Sequence, residues 1–450
     1  MIQEENMRQT IRHLFLSFIS LVFLASCSQS EYRQSIPREC SALASFDVSQ
    51  LSGTNNKLLL KTLLHINNAD ESGIDLTQKI YLFESPDGNI GICARISNVD
   101  KWEKILSKSG IVSKTFRDAH FAQVNTSWIA GYTDNSLLLM GPITPANQPE
   151  IRNKMAEYLQ QKEDNSVLVS PIYAKLDSIN SPMAMVAQVQ ALPEQLTTLM
   201  TIGSPKDADG TDVLLSANMH VDHHCLLVNG KLFSFNQTIN NELKKSMEVY
   251  RPIKGDYLPS MSRKALLGIF VNVNGKSYLP LLQNSKGLQA ILVGINQAID
   301  FDNIVKSVDG DMAIVIPSFN TNQVQMSMAA KLAHTHWLKD VNYWKQSVPK
   351  GGRLTNWGKN AFSYADGKQA FYFGVTDDKQ FYSGNSREAA LASIHPAPDA
   401  ISQDVQTQLK GEKMAMVINL QNVENKTVNM FSSLLKPVFG DINTVVYKLK

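Results

Sequence analysis

The chain has no Gly-x-Gly-x-x-Gly, no phosphate loop ending in Gly-Lys-Ser/Thr, no His-Glu-x-x-His and no Gly-x-Ser-x-Gly. The common nucleotide-binding, zinc-protease and serine-hydrolase chemistries therefore leave no signature, and no catalytic residue or cofactor is assigned from sequence. It has no excess of one charge: 43 Lys plus Arg face 41 Asp plus Glu, a net of +2, which gives no electrostatic reason to expect a nucleic acid partner. No apolar run approaches the roughly 20 residues that cross a bilayer as a helix, so a polytopic membrane protein is excluded. Cysteine is scarce, four in 450 residues, too few for a disulfide scaffold. What remains is globular: 43% hydrophobic and 19% charged positions rule out disorder, and the length allows roughly two to three domains.

The longest apolar run is Leu14 to Ala25, preceded by Arg8, Arg12 and His13 and followed by Ser26 and Cys27. It is too short to span a membrane and has the layout of a signal-peptide core. Leu24-Ala25-Ser26-Cys27 resembles the bacterial lipobox, in which small residues admit the peptidase and the cysteine thiol receives the lipid. Residues 1–26 are thus expected to be a lipoprotein signal peptide, Cys27 the acylated first mature residue, and 27–35 a tether. Two or more acyl chains, each worth about 0.8 kcal/mol per buried CH₂, make escape from a membrane slow. Ser28 after the cysteine favours the outer membrane, lipid-anchored and facing the periplasm, with surface display as the other orientation.

Cys40, Cys93 and Cys225 remain. An oxidising periplasm permits Cys40 and Cys93 to form a disulfide; the other reading is three small buried hydrophobes.

Self-comparison is the most informative feature. Trp128-Ile129-Ala130-Gly131-Tyr132-Thr133-Asp134-Asn135 recurs as Phe371-Tyr372-Phe373-Gly374-Val375-Thr376-Asp377-Asp378, and Met183-Ala184-Met185-Val186 recurs unchanged at Met414-Ala415-Met416-Val417. The two matches keep their order, at offsets of 243 and 231 residues. This predicts two tandem homologous domains, repeat unit one over 36–220 and unit two over 258–450, joined by a hairpin and helix over 221–257. Two copies are too few for a solenoid.

Strands outnumber helices and turn tightly, so the expected class is α+β with antiparallel or mixed sheets and helices packed on one face. Asp87-Gly88 predicts a hairpin, as do Asn229-Gly230 and Asp366-Gly367. Thr133-Asp134 and Thr376-Asp377 read as turns. Apolar spacing predicts helices at Trp102 to Leu106, Ile151 to Tyr158, Ile239 to Met247, Leu288 to Ile295 and Trp337 to Trp344.

Few residues point to chemistry. His220, Asp222 and His224 would share one face if 220–225 were a continuous strand, a spacing that can present a metal with two imidazoles and a carboxylate. Same-face side chains diverge along a strand, so a solvated face is the stronger reading. Asp207 to Asp212 resembles a calcium loop, but Pro205 and Ser216 occupy positions that need oxygen ligands and a bidentate Glu, which leaves a turn. Trp357, in a polar stretch, is the tryptophan expected to be exposed and available for binding.

With the lipobox, Ile36-Pro37, Glu71-Ser72-Gly73-Ile74-Asp75-Leu76 and the midpoint Lys254-Gly255-Asp256-Tyr257-Leu258-Pro259, the chain resembles a family of Bacteroides-type lipoproteins classed as domain of unknown function 4836. The resemblance implies an envelope location and a duplicated body, and it supplies no activity or catalytic residues. Together these readings lead to an envelope lipoprotein, held to a membrane by its N-terminal lipid, with no nucleic acid partner. It would bind or scaffold an unknown envelope protein or glycan without catalysis; the alternative is an envelope hydrolase with an unrecognised polar site.

Overall fold

The computed structural model describes residues 31–50, 71–192, 200–206, 208–285, 299–320, 323–367, 370–420 and 442–449, with 197, 288, 289, 293 and 296 singly. The signal peptide, Cys27, Asp207 and most of the expected Leu288 to Ile295 helix lie outside the described residues. No helix among the described residues is long and apolar enough to cross a membrane. The chain divides into two compact units between Pro182 and Met183.

Unit one contains β1 Ala42–Phe46, β2 Ile80–Glu84, β3 Ile90–Arg95, α1 Val99–Lys108, β4 Ser113–Phe116, β5 Ala119–Gln123, β6 Ile129–Tyr132, β7 Ser136–Gly141, α2 Gln148–Gln160 and α3 Pro171–Asp177. Its sheet is antiparallel in the order β1-β2-β3-β7-β6-β5-β4. The β2–β3 turn forms at Asp87-Gly88 as the sequence predicts, because Gly88 sits at φ +76 at no steric cost. Helix α1 starts where Asn98 accepts the Lys101 N–H and buries Trp102 and Leu106 on one stripe. Trp102 is 1% exposed and meets Tyr132 of β6 edge-on.

Unit two opens with β8 Met183–Gln188, β9 Leu214–Asp222, β10 Cys225–Phe233, α4 Gln237–Ser246 and β11 Tyr250–Arg251. Next come β12 Leu267–Asn274, α5 Gly275–Asn284, α6 Phe301–Lys306, β13 Val308–Ile316, the small hairpin β14 Phe319–Asn320 with β15 Gln323–Val324, and β16 Ser327–Leu332. Then follow α7 Val341–Ser347, β17 Arg353–Gly358, β18 Ala361–Ala365, β19 Ala370–Val375, β20 Gln380–Gly384, α8 Arg387–Ala392, α9 Gln403–Leu409, β21 Met414–Asn419 and β22 Thr444–Leu449. The main sheet runs β8-β9-β10-β22-β21-β12-β13-β16-β20-β19-β18-β17. Only β10–β22 is parallel among these pairs. The protein is therefore a mixed helix-and-strand protein on large, mostly antiparallel sheets.

The order β12-β13-β16-β20-β19-β18-β17 in unit two is the order β1-β2-β3-β7-β6-β5-β4 of unit one. Gly131 and Gly374 each lie in the third strand of the closing meander, β6 and β19. Trp337, 0% exposed, follows β16 as Trp102 follows β3, and it packs on Phe373 of β19. Strand β8 pairs with β9, which continues through β10 into β22, so all four strands lie in unit two.

One hairpin expectation fails. Asn229-Gly230 is no turn: both residues lie inside β10, paired to Asn218 and Ala217 on one side and to Lys448 and Leu449 on the other. The chain reverses instead at His223-His224, at φ +44 and +61. Gly230 is needed for packing, since a Cβ there would overlap Tyr447 and sit 2.6 Å from Leu215.

Candidate binding groove

Unit two holds a groove of about 560 Å³, within the range of small-molecule sites. Its construction starts at the Lys254–Pro259 motif. The Asp311 carboxylate, 3% exposed, accepts the backbone N–H groups of Lys254 (3.0 Å), Gly255 (2.6 Å) and Asp256 (2.9 Å) and the Asn272 side-chain amide (2.8 Å). Four donors converge on one buried carboxylate and offset its desolvation. Gly255 adopts φ +101 to bring three consecutive N–H groups onto one anion. The motif is thus a clamp, and it delivers the 3₁₀ turn Leu258–Ser260 to the start of β12.

One wall of the groove is sewn by backbone bonds. Ala397 donates to Pro259 O, Arg263 to Asp399 O and Ile401 to Met261 O, at 2.8 to 2.9 Å. The opposite wall is the β20–α8 junction: Ser386 caps α8 by accepting the Ala389 N–H at 3.1 Å, and Asn385 Oδ1 accepts the Met326 N–H at 2.6 Å. Ser393 Oγ, 4% exposed, ties the end of α8 to Met328 O at 3.1 Å. Ala265 and Val315, both buried, lie at the bottom, and the small side chains Ala389 and Ala392 keep the space open. Lys264 and His395 are exposed on its rim and Asp399 is half-buried. Among the described residues no hydrogen bond or ion pair joins these three side chains. The lining can therefore offer a cation, an imidazole, a carboxylate and hydroxyls to a ligand, dispersed over an open surface.

The sequence-derived candidates lie elsewhere. His220 and Asp222 are exposed at the end of β9, and the turn at His223-His224 removes His224 from the alternation that would have aligned it with them. Asp222 instead meets His223 Nδ1 at 2.7 Å. No group of three or more His, Cys, Asp or Glu could hold a metal among the described residues. The Asp209 carboxylate accepts both the N–H and the hydroxyl of Thr211, a self-contained turn.

Cys40 and Cys93 are free and buried, so the expected disulfide is not made. Burial pushes the Cys40 thiol up to about 12, and Cys93 Sγ, fully buried, donates to Tyr32 O at 3.2 Å. Both behave as small core residues.

Trp357 is half-buried rather than open. Its Nε1 donates to Phe362 O at 2.7 Å, Tyr372 and Tyr382 pack edge-on against it, and the Arg387 guanidinium lies 5.7 Å from its ring centroid. The β17–β20 meander has absorbed it into an aromatic cluster. The groove was missed from sequence because its walls come from three distant stretches; the run His395-Pro396-Ala397-Pro398, which no helix or central strand tolerates, was its one local signal.

The protein is a mixed helix-and-strand protein on mostly antiparallel sheets, with an open groove in unit two. The chain belongs to the family described as "Domain of unknown function (DUF4836)", whose model matches residues 44–448. Three solved structures of TP0453 are similar to it: crystal form IV at 8% identity and TM-score 0.27, covering 45% of this chain and 81% of that one; crystal form I at 8% and 0.22, covering 81% and 95%; and crystal form III at 6% and 0.24, covering 80% and 96%. No curated protein matches the chain.

Proposed function

We propose that this protein is an envelope lipoprotein, anchored through Cys27 in the outer membrane and facing the periplasm, that binds or scaffolds an envelope protein or glycan without catalysing a reaction. The observation that carries the binding role is the groove: open, about 560 Å³, lined by small and hydroxyl-bearing side chains and rimmed by dispersed Lys264, His395 and Asp399. An enzyme needs ionisable groups brought within hydrogen-bond reach of one another or of a reacting atom. A binder needs area and adaptable polar contacts, which this lining offers.

The body is a duplication, with one copy over 36–220, the second over 258–450 and a connector over 221–257. Its support is the shared strand order together with the two collinear sequence matches. The anchor rests on the Leu24-Ala25-Ser26-Cys27 motif behind its apolar run.

The test is a photo-crosslinking amino acid at Gln325, an exposed groove residue, in intact cells, with and without Ala392→Trp, which fills the groove from an exposed position. A discrete adduct that Ala392→Trp abolishes is expected. An adduct indifferent to the filled groove, or none, contradicts the groove's role.

A further inference from the structure

The chain joins its folded body almost at once after the proposed anchor. The 3₁₀ turn Glu31–Ser35 is built into unit one. Tyr32 is 3% exposed and Ile36 0%. Tyr32 OH donates to Lys79 O at 2.8 Å, and Gln161 donates to both Gln34 O and Ile36 O. Val167 N–H donates to Ile36 O at 2.9 Å. The Arg33 guanidinium donates to Tyr173 OH and lies 6.0 and 5.8 Å from the Tyr32 and Tyr173 ring centroids, contacts that gain strength where water is partly excluded. From Tyr32 onward the chain cannot pay out without exposing core side chains.

We infer that Tyr32–Ile36 is the fixed end of a five-residue leash that holds this face of unit one against the phospholipid headgroups. The inference rests on lipidation of Cys27. Whatever their conformation, five residues reach at most about 18 Å. Crossing the headgroup layer uses roughly 6 Å of that, leaving about one Debye length of clearance. A unit of about 150 residues has a radius of gyration near 15 Å, so it cannot turn freely on so short a leash. The surface beside Tyr32 thus faces the bilayer, with the half-buried Arg33, which has no carboxylate partner among the described residues, beside it.

The test uses the lipidated full-length protein in phosphatidylethanolamine–phosphatidylglycerol vesicles that carry a rhodamine-lipid acceptor. A donor dye sits on Asn165→Cys, an exposed site whose carbonyl accepts the Arg38 N–H beside the tether; the native thiols are buried. A second version carries 20 Gly/Ser residues inserted after Ser30, which adds about 25 Å of flexible reach. Energy transfer at least about twofold stronger for the native leash is expected. Equal transfer from both proteins, with both floating on vesicles, overturns the leash while leaving the anchor intact. Failure of the native protein to float overturns the anchor and the leash together.

Discussion

Asp311 is the buried anion that holds the Lys254–Asp256 segment, which leads into the groove wall at Ser260. Its carboxylate answers four donors from two segments. Asp311→Ala leaves those donors buried and unpaired and is expected to cost about 3 kcal/mol or more in denaturant unfolding. Asp311→Asn, which keeps the shape and part of the acceptance, costs less. Equal stability of Asp311→Ala and the native protein would remove the clamp. At the same scale, His334 is half-buried, stacked on His336 at 4.2 Å, and held below its ordinary range by burial first and then by the charges of His336, Lys276 and Lys379. A base whose folded-state pKa is depressed takes up protons more readily when unfolded. Stability is therefore full above about pH 6.5 and declines as pH falls through that value toward the depressed one. Melting temperature should drop modestly between pH 7.5 and 5.5, and His334→Gln should flatten that drop. An unchanged slope in the variant would show that other groups set it.

At the scale of elements, the strands and helices read from local pattern are largely where that pattern put them, because each signal is completed within a few residues. The Asp87-Gly88 turn, the Trp102 helix stripe and the Ile151 to Tyr158 stripe need only their neighbours. Asn229-Gly230 was misread because its meaning is set from afar: β22, more than 200 residues on, brings Tyr447 over the glycine. The actual turn uses two histidines in the left-handed region, a conformation that costs roughly 1–2 kcal/mol for a residue with a Cβ. Replacing His223-His224 with Asn-Gly should stabilise the protein by about 1 kcal/mol, whereas Gly230→Ala should destabilise it by about 1–3 kcal/mol. Denaturation midpoints moving the other way would return the turn to Asn229-Gly230.

For the whole molecule, one of the two short matches falls at a shared position, since Gly131 and Gly374 each lie in the third strand of a four-stranded meander; the Met183 and Met414 segments are β8 and β21, both in unit two. The groove was not legible. Residues 259–265, 315–317, 325–327 and 385–399 are brought together by loop backbone bonds and by strand pairing between segments far apart in the chain, and none of them carries a motif for chemistry. On the proposed function, groove and anchor act together, because a tethered binder acts at high local concentration on whatever shares its membrane surface. The most direct measurement is metabolic labelling with radioactive palmitate followed by membrane fractionation of the native protein and Cys27→Ala. Label and membrane association in the native protein, both lost in Cys27→Ala, are the predicted result; an unlabelled native protein, or a Cys27→Ala variant that still carries label and fractionates with the membrane, would contradict a lipid-tethered molecule.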